Sequence, residues 1–252
     1  MTEKYGRHII FENIPNFRDI GGYRTRDGRI VAWRRLFRSG EICSMTHGDL
    51  AKLKKELGLA SVIDLRSSFE VKHHGMGLLE GAGFRYYNIA FIPDGGQPDT
   101  ELPRYSGFTN MGEFYIDLLR QKGFGKRIVE ALEIIASPEN HPLVFHCAAG
   151  KDRTGILAAM LLSILNVADK DIVTDYSLSG AYIEALIKQL RSVKGPAPDV
   201  TKLPDFFWTA APESMMLLLD ALRRENGSVH EYLVANGAEP SLLERLRAAL
   251  LV

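Results

Sequence analysis

One stretch of the chain, HPLVFHCAAGKDRTG at residues 141–155, gathers side chains that could do chemistry together. Cys147 follows an apolar run. Lys151, Asp152 and Arg153 come after it, then the hydroxyl of Thr154, with glycines at 150 and 155. LVFHC predicts a buried strand and TGILAAMLLSIL a helix. The loop between them therefore lies at the carboxyl end of a strand, where α/β folds bind ligands. A helix start leaves unpaired N–H groups and a partial positive charge. Gly150 and Gly155 allow the tight backbone that turns several amides inward, and such a nest binds anions. Arg153 adds a planar fork suited to two phosphate oxygens, and Lys151 a second positive charge. The same field favours thiolate over thiol at Cys147, and a thiolate is a nucleophile at neutral pH. A nucleophile at the base, donors around the rim and a cation opposite fit attack on a phosphoryl group through a phosphocysteine. The amides and Arg153 would stabilise charge on the equatorial oxygens.

Cysteine, five residues, then arginine resembles the signature of the protein tyrosine phosphatases. The fuller string HCAAGKDRTG resembles the bacterial atypical group that includes secreted phosphatases of mycobacteria and Listeria. NFRDIGG, RLFRSGEI, VIDLRSSFE and DYSLS resemble segments of that group in the same order, as does YLVANG before a final helix. The resemblance implies an α/β cysteine-phosphatase fold, with a central, mostly parallel sheet flanked by helices and a helical C-terminal part. It implies a metal-free, cofactor-free phosphomonoester hydrolase acting on phosphotyrosine proteins, with phosphoserine, phosphothreonine and phosphoinositides as further substrates in this group. A phosphoinositide phosphatase and a non-catalytic phosphate-binding module are the alternatives. Carried over by residue, Cys147 is the nucleophile and Arg153 the phosphate ligand. Ala148, Ala149, Gly150, Lys151, Asp152 and Thr154 complete the cradle for phosphate or another oxyanion. Thr154 would also donate to the thiolate, and His146 would hold the loop and favour the thiolate.

A leaving oxygen needs a proton, so a general acid must face Cys147. Three aspartates qualify. Asp64, in VIDLRSS, ends a strand on the same sheet edge, and the resemblance favours it. Asp94, in FIPDGG, follows the next strand. Asp152 lies in the loop itself, where it donates or pairs with Lys151 or Arg18. Arg18, in NFRDIGG, would brace the loop. A nucleotide-binding reading of GKDRT fails, because that motif needs Ser or Thr after the lysine and a glycine where Phe145 stands.

The bulk of the sequence is consistent with these readings. The 252 residues are 46% hydrophobic, and Lys plus Arg balances Asp plus Glu at 31 each, so no global charge points to nucleic acid. Two distant cysteines, Cys43 and Cys147, make neither a disulfide framework nor a structural zinc site. Cys43 reads as inert packing. The N-terminal segment lacks the apolar core of a signal peptide. The longest apolar run, ILAAMLLSILNV, is too short to span a bilayer, which needs about 20 residues. The expectation is one domain over 1–252, cytoplasmic or exported by an unmarked route.

The elements that must position the loop follow from pattern. Asp27-Gly28 predicts a hairpin. Residues 44–57 predict a helix opened by Thr46 and Asp49 and stopped by Gly58. LASVIDL, FRYYNIAFI and LVFHC predict buried strands. A long loop spans 93–112. Helices are expected at 112–121, 124–136, 154–166 and 169–192, then a break at KGPAPDVTKLP. Helices at 212–225, 228–235 and 241–250 follow, the last opened by a Ser241–Glu244 capping box. Strands alternating with helices predict a parallel sheet covered on its faces.

Overall fold

The computed structural model describes residues 6–96, 103–183 and 203–252. Its sheet has five strands: β1 (Arg18–Asp19), β2 (Leu36–Ser39), β3 (Ser61–Asp64), β4 (Arg85–Asn88) and β5 (Leu143–His146), in the order β1-β2-β5-β3-β4. β2, β5, β3 and β4 run parallel, and β1 pairs antiparallel with β2. Every residue of β2, β3 and β5 is buried, as continuous apolar runs in a covered parallel sheet require. Side-chain alternation separates two cores. Phe37, Val62 and Val144 meet Phe17, Leu53 and Leu57 on one face. Leu36, Ile63 and Phe145 meet the main helical layer on the other. The last residues of the four parallel strands, Ser39, His146, Asp64 and Asn88, stand in register. They form one carboxyl edge, from which the 147–153 loop rises.

Nine α-helices are described: α1 (His47–Ala51), α2 (Ser68–His74), α3 (Met111–Arg120), α4 (Phe124–Ala136), α5 (Asp152–Ile164), α6 (Asp169–Ser177), α7 (Pro212–Asn226), α8 (Val229–Ala235) and α9 (Ser241–Leu250). Thr46 and Asp49 form the expected capping box on α1, which continues as a π-helical turn over Lys52–Glu56. α5 is buried almost all round, which explains the apolar run ILAAMLLSIL. Asp27-Gly28 turns the chain at an Arg24–Ile30 bridge, and Ile30 also exchanges both backbone bonds with Val252, at 2.9 and 3.0 Å. The chain's end is thereby tied to the hairpin.

Three element expectations are corrected. FRYYNIAFI does not yield a buried strand: β4 is an edge strand whose four residues are exposed or half-buried, and the buried Ile89, Phe91 and Ile92 come after it. The helix expected over 169–192 stops first at Ser177. Arg18 takes the Asp175 carbonyl at 2.8 Å, so the Ser179 amide turns to Tyr176 instead. Part of that span, with most of KGPAPDVTKLP and of the middle of loop 93–112, lies outside the described residues. The Ser241–Glu244 box does not form, because α9 is entered through Pro240 without a side-chain cap.

Candidate active site

β5 delivers Cys147, 2% exposed, to the carboxyl edge of the sheet, and α5 begins at Asp152. The loop between them is held by its carbonyls. Glu41 N–H donates to the Ala148 carbonyl at 2.8 Å. Asn16 Nδ2 donates to the carbonyls of Ala149 and Gly150, both at 3.1 Å, and Arg38 Nη2 donates to that of Gly150 at 2.8 Å. With these three carbonyls bound from outside, trans peptide geometry points the amides of residues 149–151 the other way. They make no hydrogen bond among the described residues. Gly150 has φ +68°, and a Cβ there would lie 2.4 Å from the Ser39 carbonyl oxygen. Only glycine fits both the left-handed backbone and that approach. Gly155 has a different role from the one expected. It sits inside α5, where a Cβ would come 3.0 Å from the Tyr176 ring.

Behind the loop lies a buried ion cluster. Asp175 on α6 receives Arg18 Nε at 3.2 Å, the Tyr23 hydroxyl at 3.2 Å and the Arg38 guanidinium. Arg18 also donates to Asn16 Oδ1. Arg18 thus reaches the loop through Asn16 and does not pair with Asp152. Burial opposes the charge on Asp175, but Arg18 and Arg38 outweigh it and hold the carboxyl at about 2. A depressed carboxylate adds stability above its unfolded value of 3.8, and this is lost as pH falls through about 2. Stability tied to Asp175, on the order of 2 kcal/mol, should therefore disappear between about pH 4 and pH 2. In urea titrations the gap between wild type and Asp175→Asn should narrow over that window. A gap independent of pH would contradict the assignment.

Arg153 occupies the first turn of α5 and is held end-on by Glu70, Nη1 to Oε2 at 2.5 Å and Nη2 to Oε1 at 2.8 Å. Glu70 is itself fixed by a capping box at the start of α2. Ser67 N–H donates to Oε2 at 2.8 Å, Glu70 N–H donates to Ser67 Oγ at 3.0 Å, and Ser67 Oγ donates to the Gly95 carbonyl at 2.6 Å. Burial alone would raise the Glu70 carboxyl, but the Arg153 guanidinium overcomes it and keeps it below the ordinary range. Glu70 was missed in the sequence. Its signal was Ser67-x-x-Glu70, a capping-box pattern one turn beyond Asp64.

The three candidate acids are separated by their surroundings. Asp64 is fully buried and wrapped by Arg66, whose Nη2 stands 2.7 Å from Oδ2 and whose Nε and backbone N–H both reach Oδ1 at 3.0 Å. Tyr86 adds a hydroxyl at 2.8 Å. Burial opposes its charge, but the His146 and Arg66 side chains outweigh it, so the carboxyl lies far below the usual range. Burial also pushes His146 down, leaving Arg66 as the charge that keeps Asp64 ionised. Both oxygens of Asp64, expected as the acid, are thus engaged by Arg66 inside the core. Asp94 is 54% exposed and salt-bridged to Arg104 at 3.0 Å. Asp152, 18% exposed, accepts the Tyr115 hydroxyl on Oδ1 at 2.5 Å. Lys151 Nζ lies 3.4 Å from the same oxygen.

Lys151 is a second correction. Its side chain is 2% exposed and turns away from the cradle. Nζ donates to the Phe207 carbonyl and to that of Thr209 at 3.0 Å, and it lies 5.0 Å above the Phe207 ring. The ammonium holds the Asp205–Trp208 turn, and its N–H groups are engaged there. His146 is fully buried, with Nδ1 3.2 Å from the Cys147 carbonyl oxygen. The Thr154 hydroxyl is buried without a partner among the described residues. Cys43 stays a thiol, since burial and then Glu41 push it up to about 11.

A buried cysteine after the central parallel strand, a loop whose carbonyls are held from outside and an arginine on the first turn of the next helix thus stand together at the carboxyl edge of the sheet. The chain belongs to the tyrosine phosphatase family, whose sequence model matches residues 9–252. A protein of Cupriavidus necator named as a tyrosine-protein phosphatase is 34% identical over 174 residues, 68% of this chain and 63% of its own length. The chain thus spans less than two thirds of that relative. The triple specificity protein phosphatase PtpB of Mycobacterium tuberculosis is 28% identical over 277 residues, covering 94% of this chain and 96% of that one. Among solved structures, the Siw14 catalytic core aligns at 21% identity over 66% of this chain and 83% of its own, with a TM-score of 0.41. Among the described residues no helix is long and apolar enough to cross a membrane.

Proposed function

We propose that the chain hydrolyses phosphotyrosine in proteins through a phosphocysteine on Cys147. The observation that carries this reading is the loop itself. Its carbonyls are pinned outward by Asn16, Arg38 and Glu41, which supports an anion site made by its amides beside a buried thiol. Cys147 Sγ attacks phosphorus while the bond to the leaving oxygen breaks, and Asp152 protonates that oxygen. Water then attacks phosphorus, giving its proton to the Asp152 carboxylate, and the sulfur leaves as thiolate. The amides and the outer N–H groups of Arg153 bind the equatorial oxygens, pre-oriented so that little reorganisation is needed. Thr154, with its hydroxyl buried and unpartnered, donates to the thiolate as it leaves.

Names of relatives as tyrosine phosphatases support phosphotyrosine as substrate. The phosphoinositide reading rested on Lys151, whose N–H groups are engaged by two backbone carbonyls. The test is an assay panel of p-nitrophenyl phosphate, phosphotyrosine and phosphoserine peptides and phosphoinositides, with and without EDTA. Phosphotyrosine peptide should be turned over fastest and EDTA should change nothing. No hydrolysis of any substrate would leave only a phosphate-binding module. Loss with EDTA would sink the metal-free mechanism.

A further inference from the structure

Asp152 is oriented by a pair of buried tyrosines contributed by two other helices. Tyr115 on α3 and Tyr176 on α6 are 0% and 1% exposed, in the core beside α5. The Tyr115 hydroxyl donates to Asp152 Oδ1 at 2.5 Å, and the two phenol oxygens lie 2.7 Å apart. A phenol has one proton. Since Tyr115 gives its own to the carboxyl, which has no proton to spare on Oδ1, Tyr176 must be the donor in the second contact. The chain of bonds therefore runs from Tyr176 to Tyr115 to Oδ1, and each donor polarises the next. Burial, then the Asp152 charge, keeps Tyr115 far above its ordinary range, so it remains a donor at every working pH. Tyr176 is likewise held up, by burial first. Lys151 Nζ stands 3.4 Å from the same Oδ1. Oδ2 accepts no hydrogen bond among the described residues. The missing side chain of Gly155 completes the arrangement, because a Cβ there would press on the Tyr176 ring.

We infer that Tyr115, backed by Tyr176, is a positioning residue for proton transfer: it fixes Oδ1 of Asp152 so that Oδ2 carries the proton to the leaving oxygen. The inference rests on the proposed role of Asp152 as the acid. When Oδ2 gives up its proton, the charge that appears on the carboxylate meets a donor already in place, and no water need reorganise. When water attacks the phosphocysteine, the same bond holds the carboxylate as it takes a proton back. Neither tyrosine touches the substrate or changes the bonding count of the reaction.

Leaving-group dependence tests this, since a general acid matters most when the leaving oxygen is basic. The substrates are aryl phosphates graded from acidic phenols to phenol itself, and the variants Tyr115→Phe, Tyr176→Phe and Asp152→Asn. Tyr115→Phe should lower kcat/KM, which reports only the step that expels the phenol, about tenfold on phenyl phosphate, within the usual range for general-acid catalysis, and leave the kcat/KM of the most acidic phenols within about twofold. Tyr176→Phe should show the same selectivity with a smaller loss. The double variant of Asp152→Asn and Tyr115→Phe should lose no more than Asp152→Asn alone, because both act through one proton. A selective Asp152→Asn beside a Tyr115→Phe that slows all substrates equally would overturn this inference and leave the acid assignment standing. An unselective Asp152→Asn would overturn both.

Discussion

Cys147→Ser should abolish turnover, by on the order of 10⁴-fold or more, while leaving the fold and phosphate binding intact. The thiol is buried at the end of β5, and serine replaces it with little change in volume. The cradle is pinned from behind by Asn16, Arg38 and Glu41, none of which touches the sulfur, so its amides keep their direction. What is lost is the nucleophile, because a serine hydroxyl stays protonated in a site built to hold an anion and has no adjacent base to activate it. Unchanged affinity for inorganic phosphate by calorimetry, with kcat at background, is the expected pair of results. A serine variant that kept a tenth of the activity would mean that another group attacks phosphorus.

Arg153→Lys should cost about 10²–10³-fold in kcat/KM, the range found when one transition-state donor is removed. Lysine keeps the charge but not the fork, and the fork has two tasks here. Its Nη groups are held end-on by Glu70, and its remaining N–H groups have the proposed task of binding phosphate oxygens. A lysine ammonium satisfies one of these and leaves the other. Glu70 is buried and ionised, so part of the loss should appear as stability, on the order of 1–3 kcal/mol by urea denaturation. Equal kcat/KM in wild type and Arg153→Lys would show that a point charge suffices, and the bidentate role would fall.

The grouping of Cys147, Arg153 and the loop between them was legible in the sequence because they are contiguous. A strand, a short loop and a helix fix their relative positions with no long-range information. The cradle's supports were not legible. Asn16 stands in the turn before β1, Arg38 on β2 and Asp175 on α6, and only the parallel register of β2 against β5 brings Arg38 beside the loop. Lys151 was misread because its sequence neighbours are those of an anion site, while its side chain follows the helix start outward to the carbonyls of Phe207 and Thr209. The surroundings of Asp64 were hidden for a related reason. The sheet edge was right, but Arg66, two residues on, folds back and claims the carboxylate. Asp152 had Lys151 and Arg18 as its expected partners. In three dimensions it faces Tyr115, a residue 37 positions away that nothing in its local sequence announces.

The central claim is a covalent phosphoryl group on Cys147. Wild-type enzyme mixed with p-nitrophenyl phosphate, quenched in acid within one turnover and digested, should carry one phosphoryl group on the peptide containing Cys147. The same peptide from Cys147→Ser should carry none. A phosphoryl group found on any other residue, or none at any quench time while product is released in a burst, would contradict the account.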